Sequence, residues 1–472
     1  MLKKTFVRAS TIAFIALAIC SHEVRAEDGP DTNRPNVLFI AVDDLNHWVG
    51  YMGRNSQAKT PNLDRLAARG VAFHQAHCAV PACNPARAAL MSGLRPWNTA
   101  CYLNANPWKQ HIDEGLGLSK QFMNAGYHVA GSGKIYHSDS YYESEWSEYM
   151  PRGGVSATGK GVGKDEGFHE PLVHDLVDED ISDYHIVDWC VEQMNQPHDK
   201  PLFLACGLHK PHLPFAVPRK YYDMFPIDEI ELPPHREDDL DDLSPAGIKM
   251  AGANGDHARF LKSGRWKDAI QSYLATVAYL DMNIGRLIDG LDKSPIAENT
   301  IIVLWGDHGW SFGEKQHWRK FALWEEETRA PLIWIAPGVT QPATRCDETV
   351  DFMTIYPTLC ELTGIPIPDH VEGKSIAMML RDPQVARPSV AITTHGYKNH
   401  AVRSKDWRYI RYADGSEELY DHRIDPYEWT NVVDSPDHLQ ILKLHRDQLP
   451  QKDRQPTKPA KSTLSGGKKK KK

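Results

Sequence analysis

The chain has 472 residues, of which 41% are hydrophobic and 25% charged, a composition typical of a globular protein with a large core. Its formal net charge is −8, and five of its lysines form a run at the very end, so the composition argues against a nucleic-acid-binding protein. An anionic ligand would have to be attracted by cations concentrated in a pocket, because the body as a whole carries negative charge.

The N-terminal residues predict an export signal. A basic start precedes a short apolar stretch over residues 12–20, and residues 24–26 offer a cleavage site of small residues. We therefore expect a signal peptide over residues 1–26 and a periplasmic or extracellular protein, with an uncleaved N-terminal anchor as the alternative. Seven cysteines follow this segment. An oxidising compartment permits disulfides among six of them, but free thiols fit the spacing equally well.

Strands and helices alternate through most of the chain. A helix is predicted over 60–70, with Thr60 as its N-cap, and a long amphipathic helix over 266–291. This alternation predicts an α/β domain over residues 33–385, built on a large, mostly parallel sheet flanked by helices. In chain order, the apolar runs that have the pattern of strands buried on both faces are 36–42, 201–207, 300–305 and 333–335.

The pattern changes after about residue 385. Short strand-like segments, such as 401–403 and 407–412, are separated by turns, and a final helix is expected near 437–448. We predict a smaller C-terminal α+β domain over residues 386–450, built on an antiparallel sheet. Residues 451–472 read as a disordered basic tail, which is either simply solvated or a tether to an anionic polymer.

Carboxylates follow two of the predicted buried strands. Asp43 and Asp44 come directly after the first, and Asp307 with His308 after the third. Ligands of open α/β sheets bind at the carboxyl ends of the strands, and adjacent carboxylates repel each other unless a cation binds them. Three carboxylates suit Ca²⁺, although Mg²⁺ or Mn²⁺ is an alternative because histidine is a less usual calcium ligand. Each aspartate taken alone could simply cap a helix.

Several other segments carry lysines, arginines and histidines close to predicted strand ends. Fixed cations would hold a tetrahedral oxyanion, and a histidine can protonate a leaving alkoxide near neutral pH. Any one of these residues taken alone could equally be a surface lysine or a hydrogen-bonded histidine. The segments are 131–137, 209–215, 310–314 and 318–320.

The most specific motif lies at residues 83–93, where Cys83, Pro85 and Arg87 precede an apolar helix that closes with Gly93. A structural cysteine before a helix, with proline at an early helical position, is the alternative interpretation. Together with the segments above, this motif resembles the formylglycine-dependent sulfatases of the alkaline-phosphatase superfamily, and is most similar to iduronate-2-sulfatase and its bacterial relatives. The ordered set is Val42-Asp43-Asp44-Leu45, Cys83-Asn84-Pro85-Ala86-Arg87, Gly133-Lys134-Ile135-Tyr136-His137, His209-Lys210-Pro211-His212, Asp307-His308-Gly309-Trp310 and Trp318-Arg319-Lys320.

The resemblance implies a modified nucleophile beside a metal. A formylglycine-generating enzyme would oxidise Cys83 to formylglycine, whose hydrate supplies an attacking oxygen and a second hydroxyl that later expels sulfate. Asp43, Asp44, Asp307 and His308 would bind one Ca²⁺ together with the modified Cys83. Many sulfatases carry asparagine in place of this histidine, although the iduronate-type enzymes share it.

The resemblance also implies roles for the cations and histidines. Arg87 would hold and polarise the hydrate, and Lys134 and Lys320 would grip sulfate oxygens. His137 would help to remove the proton of the diol, and His209 would protonate the departing sugar oxygen. The neighbouring His212 would have a supporting role only.

The surroundings of this predicted site are less specific. Two segments rich in Gly, Pro, Asp and Ser, 138–170 and 228–265, are predicted to be surface insertions that shape substrate access. Three tryptophans could offer faces to sugar rings or simply fill the core, namely Trp310, Trp318 and Trp324. Candidate contacts with a sugar in the C-terminal region are His395, Lys398, His400 and Arg403.

The expected function is therefore that of an exported sulfuric ester hydrolase acting on a sulfated saccharide. One alternative is a phosphoesterase or phosphonate monoester hydrolase of the same superfamily. Another is a catalytically silent protein that binds sulfated polysaccharide. The motifs leave open which sugar and which sulfate position are used, whether cleavage is endo or exo, and which oligomeric state forms.

Overall fold

The computed structural model describes residues 34–138, 140–150, 168, 176–385 and 390–456, together with Met1. The predicted signal peptide and the terminal lysine run lie outside the described residues, as does most of the predicted insertion 138–170. Residues 451–456 of the predicted tail are described, and the hydroxyl of Tyr102 donates to the carbonyl of Arg454 over 2.8 Å. Nowhere in the described ranges does a helix have both the length and the apolarity to cross a membrane.

The described residues form fourteen strands. In chain order they are β1 (Asn36–Val42), β2 (Val71–His77), β3 (His128–Gly133), β4 (Glu148–Met150), β5 (Leu202–Leu208), β6 (Thr300–Gly306), β7 (Ser311–Phe312), β8 (Trp318–Arg319), β9 (Leu332–Ile335), β10 (Thr344–Asp351), β11 (Ala391–Thr394), β12 (His400–Arg403), β13 (Trp407–Arg411) and β14 (Glu417–Asp421).

The described α-helices cover the faces of the large sheet and the flanks of the small one. They are α1 (Pro61–Ala67), α2 (Cys83–Ser92), α3 (Pro96–Thr99), α4 (Leu118–Asn124), α5 (Ser182–Asn195), α6 (Arg219–Tyr222), α7 (Pro245–Ala251), α8 (Asp256–Ser263), α9 (Trp266–Asp292), α10 (Glu325–Thr328), α11 (Ile355–Thr363), α12 (Ala377–Arg381) and α13 (Leu439–Arg446).

Eight strands form the large sheet, in the order β10-β2-β9-β6-β1-β5-β3-β4. Seven of them run parallel, and β9 runs antiparallel to both β2 and β6. The side chains of β1, β5 and β6 are buried almost without exception, as expected for strands covered on both faces by helices. The predicted fold class is confirmed. The sequence had not distinguished the antiparallel direction of β9, because burial alone does not show strand direction.

The smaller sheet contains β11 to β14 in sequential antiparallel order, as predicted for the C-terminal region. Its strands are joined by short turns, and α13 packs behind it through Leu442. The predicted boundary between the two units coincides with residues 386–389, which lie outside the described residues.

A buried ion-pair network joins the small sheet to the main body. Arg408 of β13 contacts Glu325 of α10 and Glu428, and Arg403 of β12 places its Nε 3.0 Å from Glu325. Burial raises the pKa of Glu325, but the neighbouring arginines and His422 hold it well below its ordinary value. These charges are buried, so each depends on its partner to offset the cost of leaving water.

We predict that Arg408→Ala destabilises the protein by about 3–5 kcal/mol, because it leaves two buried carboxylates without their shared cation. The matched control is Arg411→Ala, which removes an exposed arginine from the same strand and should change the free energy of unfolding by less than about 0.5 kcal/mol. Denaturant unfolding of the three proteins measures both effects. Equal stability of the two variants would show that the network does not hold the small sheet in place.

Candidate active site

The carboxylates predicted to meet at the sheet edge do so. Val42 at the end of β1 pairs with Gly306 at the end of β6, so the residues that follow these strands are neighbours. The backbone N–H of Asp44 donates to Asp307 Oδ1 over 3.0 Å. Asp43, Asp44 and Asp307 are all completely buried. The strand register therefore packs three carboxylates into a small volume from which water is excluded.

Cys83 lies beside these carboxylates, at the first residue of α2. Its Sγ is 3.5 Å from Asp44 Oδ1, 3.4 Å from His308 Nε2 and 2.8 Å from Lys320 Nζ. Burial and the charge of Asp43 raise the pKa of the Cys83 thiol well above its ordinary value. Since the thiolate is the reactive form of cysteine, the unmodified residue is poorly suited to act as a nucleophile.

Three cations face the three carboxylates. Arg87 places its Nε 2.8 Å from Asp307 Oδ2. Lys134 at the end of β3 contacts Asp43. Lys320 lies after β8, with its Nζ 2.7 Å from Asp44 Oδ1.

These cations and the burial of the site shift the pKa values of the carboxylates. Burial raises the pKa of Asp43, but Lys134 and the neighbouring histidine and arginine bring it well below its ordinary value. Asp44 is likewise lowered, against its burial, chiefly by Lys320. For Asp307 burial dominates and the pKa is raised. The neighbouring cations thus favour the anionic forms of Asp43 and Asp44, although both side chains are buried.

The predicted histidines line the same cluster. His209 Nδ1 lies 3.4 Å from Asp43 Oδ2, and the ring of His212 lies 4.7 Å from that of His209. His137 follows β3, and its Nδ1 has no hydrogen-bond partner among the described residues. Burial and the charge of Lys134 lower the pKa of His137 to about 4, so its imidazole is neutral near pH 7 and can accept a proton.

Two supporting residues were not predicted. The carboxylate of Asp183 in α5 accepts the backbone N–H groups of His209, over 3.0 Å, and of Lys210, over 2.7 Å. The hydroxyl of Tyr273 in α9 donates to the carbonyl of Asp44 over 3.0 Å. Both residues come from helices far from the motifs in sequence, so no local pattern indicated them.

Backbone strain is concentrated around the cluster. Asp44 has φ 57°, and four residues around Lys320 also have positive φ, of which Arg319 at 74° and Phe321 at 83° are the most extreme. Left-handed conformations are uncommon for residues other than glycine, and a bulky residue there is a genuine outlier. Such strain is typical of segments held in one functional arrangement by their surroundings.

The residues present fit a hard cation. Asp43 Oδ1 and Asp44 Oδ2 are buried oxygens without hydrogen-bond partners among the described residues. Ligand atoms from Asp43, Asp44, Cys83 and His212 lie within 4.8 Å of one another, and so do those of Cys83 with Asp307 and His308. These residues could hold Ca²⁺ through carboxylate oxygens, with an oxygen in place of the Cys83 sulfur once that residue is modified. His212, predicted to have only a supporting role, therefore lies close enough to the carboxylates to be a metal ligand itself.

The structure brings together every residue of the predicted set, whose individual roles stay predictions. The three tryptophans Trp310, Trp318 and Trp324 are buried, which favours core packing over sugar binding. Arg403 and His400 are also buried, and His400 Nε2 lies 3.1 Å from Asp453. The seven cysteines among the described residues are buried and unpaired.

Comparison with known proteins places this geometry in a family. The family model for sulfatases matches residues 35–365, and the model for the C-terminal region of N-sulphoglucosamine sulphohydrolase matches residues 313–455. A sulfatase of Formosa agariphila is 38% identical over 89% of this chain and 88% of its own length. Human iduronate 2-sulfatase is 28% identical over 71% of this chain and 70% of its own length. The phosphonate monoester hydrolase of Agrobacterium radiobacter superposes with a TM-score of 0.72, at 19% identity over 88% of this chain and 94% of that one.

The acidic cluster predicts about one bound metal per chain in the purified protein, measured by elemental analysis. Asp307→Ala should lose most of this metal, because it removes one ligand from a set of buried carboxylates. The matched control, Asp351→Ala, removes an aspartate at the end of β10 and should keep the metal. Both variants are checked for folding by circular dichroism. A folded Asp307→Ala variant with full metal content would exclude this aspartate from the ligand set.

Proposed function

Since the chain belongs to the sulfatase family, whose members are sulfuric ester hydrolases, we propose that it is an exported enzyme that removes O-sulfate from a sulfated carbohydrate. The observation that carries this proposal is the position of Cys83, whose Sγ lies within 3.5 Å of Asp44, His308 and Lys320. The relative named iduronate 2-sulfatase and the match to the family model for the C-terminal region of N-sulphoglucosamine sulphohydrolase support a sugar sulfate as the substrate.

In this proposal Cys83 is converted to formylglycine, and the sulfur position marks where the oxygens of its hydrate lie. One hydrate hydroxyl gives its proton to Asp307, whose pKa is raised and whose carboxylate lies within 4.8 Å of the Cys83 sulfur. Its oxygen attacks the sulfur atom of the sulfate ester, while Lys320 and Lys134 hold the sulfate oxygens and offset the charge that develops on them. The bond between sulfur and the sugar oxygen breaks. Arg87 is buried behind the hydrate and keeps it oriented.

The departing sugar alkoxide takes a proton from His209, which lies on the same side of the cluster as Asp43. The enzyme then carries a sulfate ester on one oxygen of the former hydrate. His137, neutral at pH 7, accepts the proton of the second hydroxyl. The carbonyl re-forms, sulfate leaves, and addition of water restores the hydrate. A serine in place of Cys83 has no second hydroxyl, so its sulfate ester would persist.

A calcium ion held by the three aspartates and His308 would supply positive charge next to the reacting oxygens. If Lys134 and Lys320 bind sulfate instead of Asp43 and Asp44, the calcium ion would compensate the negative charge of these carboxylates. A phosphonate ester hydrolase shares this fold, so the fold alone does not select the ester. Parallel assays on sulfate and phosphonate esters of the same phenol separate the two activities.

The first prediction from this mechanism concerns the modification of Cys83. The protein is produced together with a formylglycine-generating enzyme. The tryptic peptide containing residue 83 should then lose one sulfur and two hydrogen atoms and gain one oxygen atom, which gives a net loss of mass. Cys83→Ser should turn over far more slowly and accumulate the sulfated enzyme, detectable by intact mass spectrometry. Cys101→Ser, a buried cysteine outside the cluster, is the control and should stay active. Full activity of Cys83→Ser would rule out the mechanism.

The second prediction separates the acid from the sulfate-binding cations. An alkoxide of a sugar is a much poorer leaving group than nitrophenolate, so it depends more on a general acid. His209→Ala should therefore lose about 10²-fold or more in kcat on a sulfated sugar and much less on nitrophenyl sulfate. Lys320→Ala should impair both substrates by similar factors, since both carry the same sulfate.

The exposed His185→Ala serves as the control for general effects of removing a histidine. Equal losses of His209→Ala on the two substrates would move this residue from the role of acid to that of sulfate binding.

A further inference from the structure

An open groove of about 620 Å³ lies between the loop after Lys320, helix α7 and the small sheet. Its volume is in the range of sites that enclose small organic ligands. The residues that line it include Lys249, Phe321, His395, Asn399, Tyr412 and Asp414. None of them is part of the cluster around Cys83, so the mechanism above gives this groove no task.

Backbone hydrogen bonds join the groove to the loop that leads to Cys83. The backbone N–H of Phe321 donates to the carbonyl of Pro81 over 3.0 Å, and that of Thr394 to the carbonyl of Ala79 over 2.9 Å. Lys320 Nζ lies 5.8 Å from the centre of the Phe321 ring and 2.8 Å from Cys83 Sγ. The wall of the groove that Phe321 forms therefore adjoins Lys320, which is proposed to hold sulfate.

Phe321 is held at this wall in an unfavourable conformation. Its φ is 83°, which is strained for an aromatic residue, and 36% of its surface is exposed. The ring of His395 lies 5.9 Å away, and His395 Nδ1 is buried without a hydrogen-bond partner among the described residues. An exposed aromatic face and an unpartnered buried nitrogen at the same groove indicate a ligand that satisfies both.

The remaining wall is fixed to the same loop. His317 places Nδ1 2.8 Å from the carbonyl of Ala251, at the end of α7, and Nε2 2.9 Å from the carbonyl of Lys320. Helix α7 carries Lys249 and belongs to the region predicted to be a surface insertion. On the other side, Asn399 accepts the N–H of Ala413 through its side chain over 2.9 Å. Hydrogen bonds therefore fix the walls of the groove relative to Lys320.

The chemistry of the lining matches a sugar ring. A pyranose has an apolar face of C–H groups and a rim of hydroxyls that both donate and accept hydrogen bonds. Phe321 offers a flat apolar surface, Lys249 and Asn399 offer donors, and Asp414 and His395 offer acceptors. Lys249 and Asp414 bring one positive and one negative charge, which favours a polar ring over a strongly charged one.

We propose that this groove binds the saccharide unit joined to the sulfated sugar, so that the enzyme acts on sulfated oligosaccharides in preference to sulfated monosaccharides or aryl sulfates. This inference rests on the proposed function, because it assigns the second part of the substrate of that site. Contacts with a non-reacting part of the substrate raise kcat/KM for substrates that carry that part.

The test compares matched substrates on the mature, formylglycine-containing enzyme. Sulfated disaccharides from heparin, chondroitin sulfate and ulvan are each paired with the sulfated monosaccharide they contain, and nitrophenyl sulfate is added. The wild type should show a higher kcat/KM on the best disaccharide than on its monosaccharide. Phe321→Ala and Lys249→Ala should each reduce this ratio by about 10-fold, the usual effect of one lost pocket contact.

The control is Ile248→Ala, which removes an exposed side chain from α7 next to Lys249 but outside the groove lining, and it should keep the wild-type ratio. If the wild type cleaves sulfate esters but shows no preference for disaccharides, or the variants keep its ratio, the groove assignment is overturned and the sulfatase function stands.

If the wild type cleaves no sulfate ester, the proposed function fails. The assignment of the groove is then tested by measuring the binding of disaccharides. Calorimetry with the Cys83→Ala protein then compares the same disaccharides with and without the additional Phe321→Ala change. Loss of disaccharide affinity on removal of Phe321 supports the groove, and unchanged affinity or no measurable binding overturns it.

Discussion

Repulsion among three buried carboxylates is the constraint on which the site depends. Asp43, Asp44 and Asp307 are brought together by the register of β1 with β6, where water does not screen them. Their charge is balanced by Arg87, Lys134 and Lys320, which come from α2, from the end of β3 and from the loop after β8. Because each cation belongs to a different element, the charges balance only when the whole sheet and its flanking loops are assembled.

Helix α10 connects this charge cluster to the rest of the molecule through three consecutive glutamates. The carbonyl of Glu327 accepts the N–H of Gly309, next to His308, over 2.9 Å. Glu326 lies 2.8 Å from His47, three residues after Asp44, and Glu325 pairs with the arginines of the small sheet. One short helix thus contacts both turns that carry the acidic residues as well as the C-terminal sheet.

The sequence predicted the elements whose signal is local. The runs 36–42, 201–207 and 300–305 correspond to β1, β5 and β6 within about one residue, because continuous apolar segments have few alternatives. Strands β2, β3 and β10 were not predicted, since they contain His, Gly, Ser, Thr and Asp among their buried residues. Site residues that directly follow strands were found for the same local reason, whereas Asp183 and Tyr273 reach the site only through tertiary packing.

In the proposed function, the two lysines and Phe321 have separate tasks in recognising a substrate. Lys134 and Lys320 are engaged by Asp43 and Asp44, so they can hold sulfate only when another cation takes over those carboxylates. Sulfate binding and metal binding are therefore expected to support each other. Phe321 is 36% exposed and has a left-handed backbone conformation that no sequence pattern indicates. Trp310, by contrast, was an equally good candidate from the sequence for stacking against a sugar ring, but its side chain is buried. The proposed sulfate site thus consists of charged residues within clear motifs, whereas the proposed sugar site contains an aromatic residue that no motif indicates.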